Sequence, residues 1–371
     1  MTLLAVPPLL PLIHAQLELD EKGVAALSTL PVLLLGLGAV PGSLLVARVG
    51  ARRALLAGLV LIGTTAALRG IGPSVPLLFA MTLLMGIGIA ISQPTILSLV
   101  RQWFPGSVTR ATGAWSSGLL LGELLGASLT LPLILPIVGG SWEVALAVWS
   151  IPVFATAALI AVSTRHQALN VQTRASGWPD WRNPRLWQLG LLQSSGSLVY
   201  FGANTFLPDY LHATGMPDLV GISLTAVNFA QVPAAPLVGL LPWRILVHPA
   251  TALLAGILTL AGAAALLSEQ PLLIVVAAGV LGFLAAYVLV VCFAIPPLLA
   301  QEGEVARLSA GANTISYSLA FTSSLLAGAV WDATQLPAVG FLPVLLGALI
   351  VLIVGPRLVT ATSREVVTST G

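Results

Sequence analysis

Charge is what this 371-residue sequence has least of: 8% of its residues are Asp, Glu, Lys or Arg, against about 25% in a soluble domain. That shortage excludes a water-facing globule. With 57% of residues hydrophobic, so few ions could not cover the apolar surface, and the mean hydropathy of +1.00 puts the surplus against lipid. Cysteine is almost absent as well. Cys292 stands alone, which excludes an internal disulfide and a cysteine metal cluster. The four histidines, His14, His166, His212 and His248, have no ligand spacing, so no metal and no other cofactor is expected. The start lacks a basic stretch and a small-residue cleavage site, so no cleavable signal peptide is expected. A net charge of +2 does not point to nucleic acid.

What is present is a series of apolar runs, each of bilayer length. They fall near 1–16, 24–47, 53–69, 76–100, 111–136, 142–163, 186–213, 219–242, 249–267, 271–299, 309–331 and 336–356. The expected fold is therefore all-α and integral to a membrane, with twelve transmembrane helices. The longest break, 164–185, divides them into bundles 1–163 and 186–371 with a linker between.

Basic residues orient the chain. With the linker in the cytoplasm, Arg48, Arg52, Arg53, Arg101, Arg110, Arg165, Arg174, Arg182, Arg185, Arg244, Arg307, Arg357 and Arg364 all fall on that side, with both termini. Lys22 and Arg69 fall outside. One missed helix would scramble this segregation, so it also supports the span count.

The halves echo each other. LLPLIHAQL (9–17) resembles FLPDYLHATG (206–215), and RATGAWSSGLLLGELLGAS (110–128) resembles RLSAGANTISYSLAFTSSLLAG (307–328). Two pseudo-symmetric six-helix halves are expected to bind a solute where they meet, near the midplane. Pro208 lies deep in span seven, whereas Pro11 is the eleventh residue of the chain. Span one is short: 16 residues reach about 24 Å against a core of about 30 Å. A start upstream of Met1, rather than a truncated helix, is the expected explanation.

The stretch GSLLVARVGARRALLAG (42–58) is similar to the 2–3 loop signature of the major facilitator superfamily, G-x-L-x-D-R-x-G-R-R. Leu45, Arg48, Gly50 and Arg52 match, while Ser43 replaces the first Gly and Ala47 the Asp. The resemblance implies a gating loop made by Arg48, Gly50, Arg52 and Arg53. The missing Asp puts its cytoplasmic lock in doubt. LRGIGPSVPLLFAMTLLMGIGIAISQPTILSLVRQWFPG (68–106), GSWEVALAVWSIP (140–152) and TISYSLAF (314–321) resemble the cyanate and 2-nitroimidazole permease family within it. That resemblance implies a monomer in a bacterial inner membrane. It also implies that spans one, four, seven and ten line the central path, with two, five, eight and eleven beside them.

Polar residues inside apolar helices are costly and belong at sites or at helix contacts. Glu123, in the middle of span five, costs about 2.5–3.5 kcal/mol to insert. It is expected to bind substrate or relay a proton, the alternative being a structural hydrogen bond. Thr112, Ser116, Glu123 and Thr130 share its face. Gly118, Gly122 and Gly126 repeat every four residues and are expected to let helices pack closely. In span seven Gln193, Ser197, Tyr200 and Asn204 form one stripe, expected to line a cavity or to bond to a neighbouring helix. Gln93, Asn228, Gln231, Tyr287, Asn313 and Tyr317 complete the candidate substrate-binding set. Asp209 is expected near the outer surface, and the tryptophans at the interfaces. Arg69 is expected to snorkel to the headgroups, with attraction of an anion as the alternative.

No G-x-x-x-x-G-K-[ST], H-E-x-x-H or G-x-S-x-G with partners is present, so neither an ATPase nor a membrane enzyme is expected. The leading expectation is a secondary transporter of a small polar or anionic solute, working by alternating access and proton-coupled through Glu123. A drug or metabolite efflux exchanger and a transport-inactive sensor are the alternatives. The sequence does not separate uptake from export.

Overall fold

The computed structural model describes residues 2, 5–17, 21–164, 178–268, 270–300 and 304–370. Arg165, Arg174 and most of the linker lie outside them, as do the side chains of Lys22 and His14. Among the described residues there is no strand. The order begins α1 (Val6–Leu17), α2 (Glu21–Val49), α3 (Ala51–Leu68), α4 (Val75–Trp103) and α5 (Val108–Leu129). It continues through α6 (Leu135–Ile137), α7 (Trp142–Val148), α8 (Ser150–Ser163), α9 (Pro184–Ala213), α10 (Leu219–Phe229) and α11 (Ala234–Leu240). Last come α12 (Trp243–Leu246), α13 (Pro249–Leu266), α14 (Pro271–Leu299), α15 (Val305–Thr334) and α16 (Leu342–Thr370). The pairs α5–α6, α7–α8 and α10–α11 each form one interrupted segment. With α12 as a short connector, twelve helical segments follow one another, as expected for a membrane-embedded all-α protein.

Eight of these segments are long and apolar enough to cross a bilayer, and α5 with α6, bent by 51° between Gly126 and Thr130, makes a ninth. The remaining three are α1, with 12 residues, and α9 and α15, with 30 each. The last two have the length but carry many polar residues. Prolines inside α2, α4, α9, α14 and α16 are tolerated because neighbouring helices and local turns re-satisfy the freed carbonyls.

The chain forms two compact units. The first comprises residues 1–99 and 121–179, the second 100–120 and 180–371. In the first, Ala5, Val6, Leu9 and Ile13 of α1 cluster with Leu78, Trp142, Leu146 and Trp149. Its α3 and α4 cross backbone to backbone: a Cβ on Gly58 would stand 3.0 Å from the Gly88 carbonyl oxygen, and the reverse holds. The second unit has two cores, one around Leu189, Leu192, Tyr287 and Ile295, the other around Val199, Leu207, Val227 and Phe341.

Candidate functional site

In the second unit the stripe on α9 divides between two neighbours. Gln193 and Ser197 are buried against α15: Gln193 Nε2 donates to Asn313 Oδ1 at 2.7 Å, and the Ser197 and Ser316 hydroxyls are 2.8 Å apart. Their polar capacity goes into holding two helices together. Tyr200 and Asn204, one and two turns further on, face α10. Tyr200 Oη donates to Asn228 Oδ1 at 3.1 Å, and Asn228 Nδ2 donates to Asn204 Oδ1 at 2.9 Å. Gln231 Nε2 donates to the same Asn228 oxygen at 3.4 Å, while Asn204 Nδ2 donates to the Tyr200 carbonyl. Asn228 is the hub, and four of the predicted residues meet there. Tyr200, Asn204 and Asn228 are half-buried, not sealed.

A helix break positions this cluster. Pro233 has no N–H to offer the carbonyl of Phe229, which accepts instead from Val232 N at 3.1 Å. The chain turns through 230–233 and restarts as α11, leaving Gln231 in the break and Asn228 in the last turn of α10. Phe201 lies edge-on to Tyr200 and to Tyr317, with centroids 5.1 and 6.4 Å away. Aromatic and amide groups therefore lie together, a combination that can take a small polar, planar solute by hydrogen bonding and stacking.

The other predicted residues lie apart from the hub. Tyr287 is buried, stacks on Phe283 and donates to the Leu246 carbonyl at 3.2 Å. Gln93 is buried on α4 beside Pro94. Glu123 is half-buried on α5. Thr130 Oγ1 donates to the Gly126 carbonyl and accepts from Trp149 Nε1 at 3.0 Å. The buried hydroxyls of Thr112 and Ser116 have no partner among the described residues. Asp209 is exposed.

In the gating loop, Gly50 holds φ 84°, a left-handed conformation that suits glycine. Arg52 does not reach out: its Nε donates to Thr164 Oγ1 at 2.6 Å and its Nη2 to the Ala161 carbonyl at 3.1 Å, capping the C-terminal end of α8. Arg48 and Arg53 are exposed.

Three expectations need correction. Gly118 is exposed with nothing within 4 Å of its would-be Cβ, so the four-residue glycine repeat is not a continuous helix contact. Gly122 and Gly126 are buried, and α5 also packs closely at Gly113, where a Cβ would stand 2.7 Å from Gly239 Cα on α11. Trp142 and Trp149 are not interfacial. They are 3% and 7% exposed, Trp142 donating to Gln16 Oε1 at 2.6 Å and Trp149 to buried Thr130. Arg69 does not snorkel. It is 1% exposed, with Nη1 donating to the Thr2 carbonyl at 3.2 Å and to Met85 S at 3.3 Å. The loop-adjacent ALRG sequence gave no sign of this, because a helix-end arginine ordinarily reaches water.

Comparison with known proteins agrees with this architecture. The sequence profile of the Major Facilitator Superfamily matches residues 1–241. The chain is 32% identical over 226 residues to the 2-nitroimidazole transporter of Escherichia coli (strain K12), covering 60% of this chain and 57% of that one. It is 33% identical over 201 residues to the cyanate transport protein CynX of the same organism, covering 54% and 50%. The matches thus span little more than half the length of these relatives. Among solved structures, the human organic anion transporter MFSD10 superposes with a TM-score of 0.75 at 15% identity, over 95% of this chain and 96% of that one. The E. coli fucose:proton symporter FucP gives 0.69 at 14% identity, over 96% of each.

Proposed function

The chain belongs to the major facilitator superfamily, and on that premise we propose that it is a secondary transporter moving a small polar or anionic solute by alternating access. The observation that carries this reading is the Tyr200–Asn204–Asn228–Gln231 cluster at a helix break. Amides clustered inside an otherwise lipid-compatible fold, Asn204 and Asn228 only half-buried, suit reversible binding better than helix glue alone. The names of two relatives, a cyanate transport protein and a 2-nitroimidazole transporter, support a small polar cargo. In this reading bundles 1–163 and 186–371 flank a cytoplasmic linker, both termini face the cytoplasm of a bacterial cell, and the protein works as a monomer in the inner membrane.

Glu123 is the proposed proton carrier. Tyr287, Asn313 and Tyr317 are proposed to support the site within the second unit, and Gln93 to serve the solute in the first. A carboxyl inside a helix bundle exchanges protons readily when its two states differ little in energy. The proton coupling of FucP, a fucose:proton symporter of the same fold, supports a mechanism of this kind. The test is flux into proteoliposomes across a panel of small polar metabolites, with and without a pH gradient. Saturable flux of at least one solute is expected, increased by the gradient. Liposomes no leakier than empty ones for every solute would refute the proposal.

A further inference from the structure

Arg69 is a buried charge that the described residues of the first unit satisfy only in part. It ends α3, is 1% exposed, and uses one nitrogen, Nη1, on Thr2 and Met85. Its Nε and Nη2 have no partner among the described residues. These two nitrogens form one edge of the guanidinium, with two N–H bonds that point the same way. Among the described residues no carboxylate pairs with it. Glu143, on the helix against which Gly70 packs, is taken elsewhere: Oε2 accepts from Ser141 at 2.8 Å and Oε1 from Gln16 at 3.1 Å. A second polar group is orphaned on α4. Thr82 lies one turn before Met85 on the same face, is 1% exposed, and its hydroxyl has no partner among the described residues.

A buried cation without a counter-charge costs several kcal/mol, and buried donors are normally satisfied. A bound anion would supply both the charge and the acceptors. The parallel Nε–H and Nη2–H edge matches a planar anion with two acceptor atoms on one side, bound bidentately. We infer that the Arg69 edge, with the Thr82 hydroxyl, is a binding site for a small planar oxyanion of the carboxylate or nitrate type. The inference rests on the transport reading only for the role of that anion as cargo.

The test is thermal unfolding of the purified full-length protein in detergent, titrated with sodium nitrate, formate or acetate against sodium chloride at constant ionic strength. Saturable stabilisation by at least one planar anion over chloride is expected. Arg69→Lys keeps the charge but loses the paired edge and is expected to weaken the apparent Kd at least tenfold. Thr82→Val removes a hydroxyl that holds nothing among the described residues. It is expected to keep the Tm in chloride and weaken the anion Kd several-fold, which keeps the proposal testable if Arg69 variants do not fold. No saturable shift in the wild type overturns the proposal, as does an unchanged Kd in Arg69→Lys or in Thr82→Val. Flux assays separate the two readings. Anion binding without anion flux leaves the site standing and removes its role as cargo site, whereas flux of other solutes without anion binding removes the site and leaves transport.

Discussion

Replacing Asn228 by Leu separates a solute site from helix glue. Leucine keeps the size and removes the hub, so the Tyr200 hydroxyl, the Asn204 carbonyl oxygen and the Gln231 amide each lose a partner. Interhelical hydrogen bonds in membranes average about 0.6 kcal/mol with a maximum near 1.7. Two bonds of ordinary length and one long one therefore put the stability loss at about 1–2 kcal/mol, near the low end because the residues are half-buried and water can replace part of what is lost. A solute that binds through the same amides loses more. At about 1.4 kcal/mol per tenfold, one or two lost or misplaced hydrogen bonds raise KM about 10- to 100-fold. Ser316→Ala, outside the candidate binding set, is the matched control. It breaks the 2.8 Å hydroxyl pair with buried Ser197 and is expected to cost about 1–3 kcal/mol of stability while leaving KM within about twofold of the wild type. Both numbers come from chemical unfolding in detergent and proteoliposome flux on the same preparations. If Asn228→Leu lowers stability but leaves KM as it was, the cluster is structural and the site assignment is wrong.

Glu123→Gln is expected to retain solute binding and lose the stimulation of flux by a pH gradient, measured with a pH-sensitive dye inside the vesicles; an unaltered response would exonerate this carboxyl. Arg52→Gln gives up two bonds from a half-buried cation to the end of α8, and unfolding should show a loss of about 1–3 kcal/mol. Gly113→Val drives a side chain into the backbone of Gly239 and the Ala235 carbonyl, which cannot yield as a side chain can, so about 1–3 kcal/mol of destabilisation is expected. Gly118→Ala, with open space around it, should be neutral or stabilising by up to about 1 kcal/mol in the same assay.

The sequence reached the twelve helices because two independent patterns, bilayer-length runs and the segregation of arginine, constrained each other. Apolarity by itself would have missed α9 and α15. Their polar residues are matched by each other across a helix contact, Gln193 with Asn313 and Ser197 with Ser316, so protein rather than lipid solvates them. The same residues show why the candidate site was only partly legible. Periodicity puts Gln193, Ser197, Tyr200 and Asn204 on one face, but a helix of 30 residues meets different neighbours along its length, and the sequence does not say where the neighbour changes. Arg69, Trp142 and Trp149 departed from expectation for a related reason. Position near a helix end ordinarily means water or headgroups, and only the packing of α1 and α7 around that corner turns it into an interior.

The break between α10 and α11 ties fold to site in a way that hydropathy conceals. In a bilayer an unpaired carbonyl has no water to turn to, so an interrupted helix is tolerable only beside groups that can satisfy it or a cavity that can wet it. Pro233 and Pro236 together remove two N–H donors within one turn. The chain answers with i to i+3 turns from Phe229 and Gln231, and amide side chains cluster at the same level. Their bonds run to one another and to the Tyr200 and Leu224 carbonyls, and each amide carries two donors and an acceptor. The surplus capacity at Asn204 and Gln231 is what a passing solute can use. The interruption sets Gln231 in the break beside Asn228 at the end of α10, which is how it would serve the proposed site.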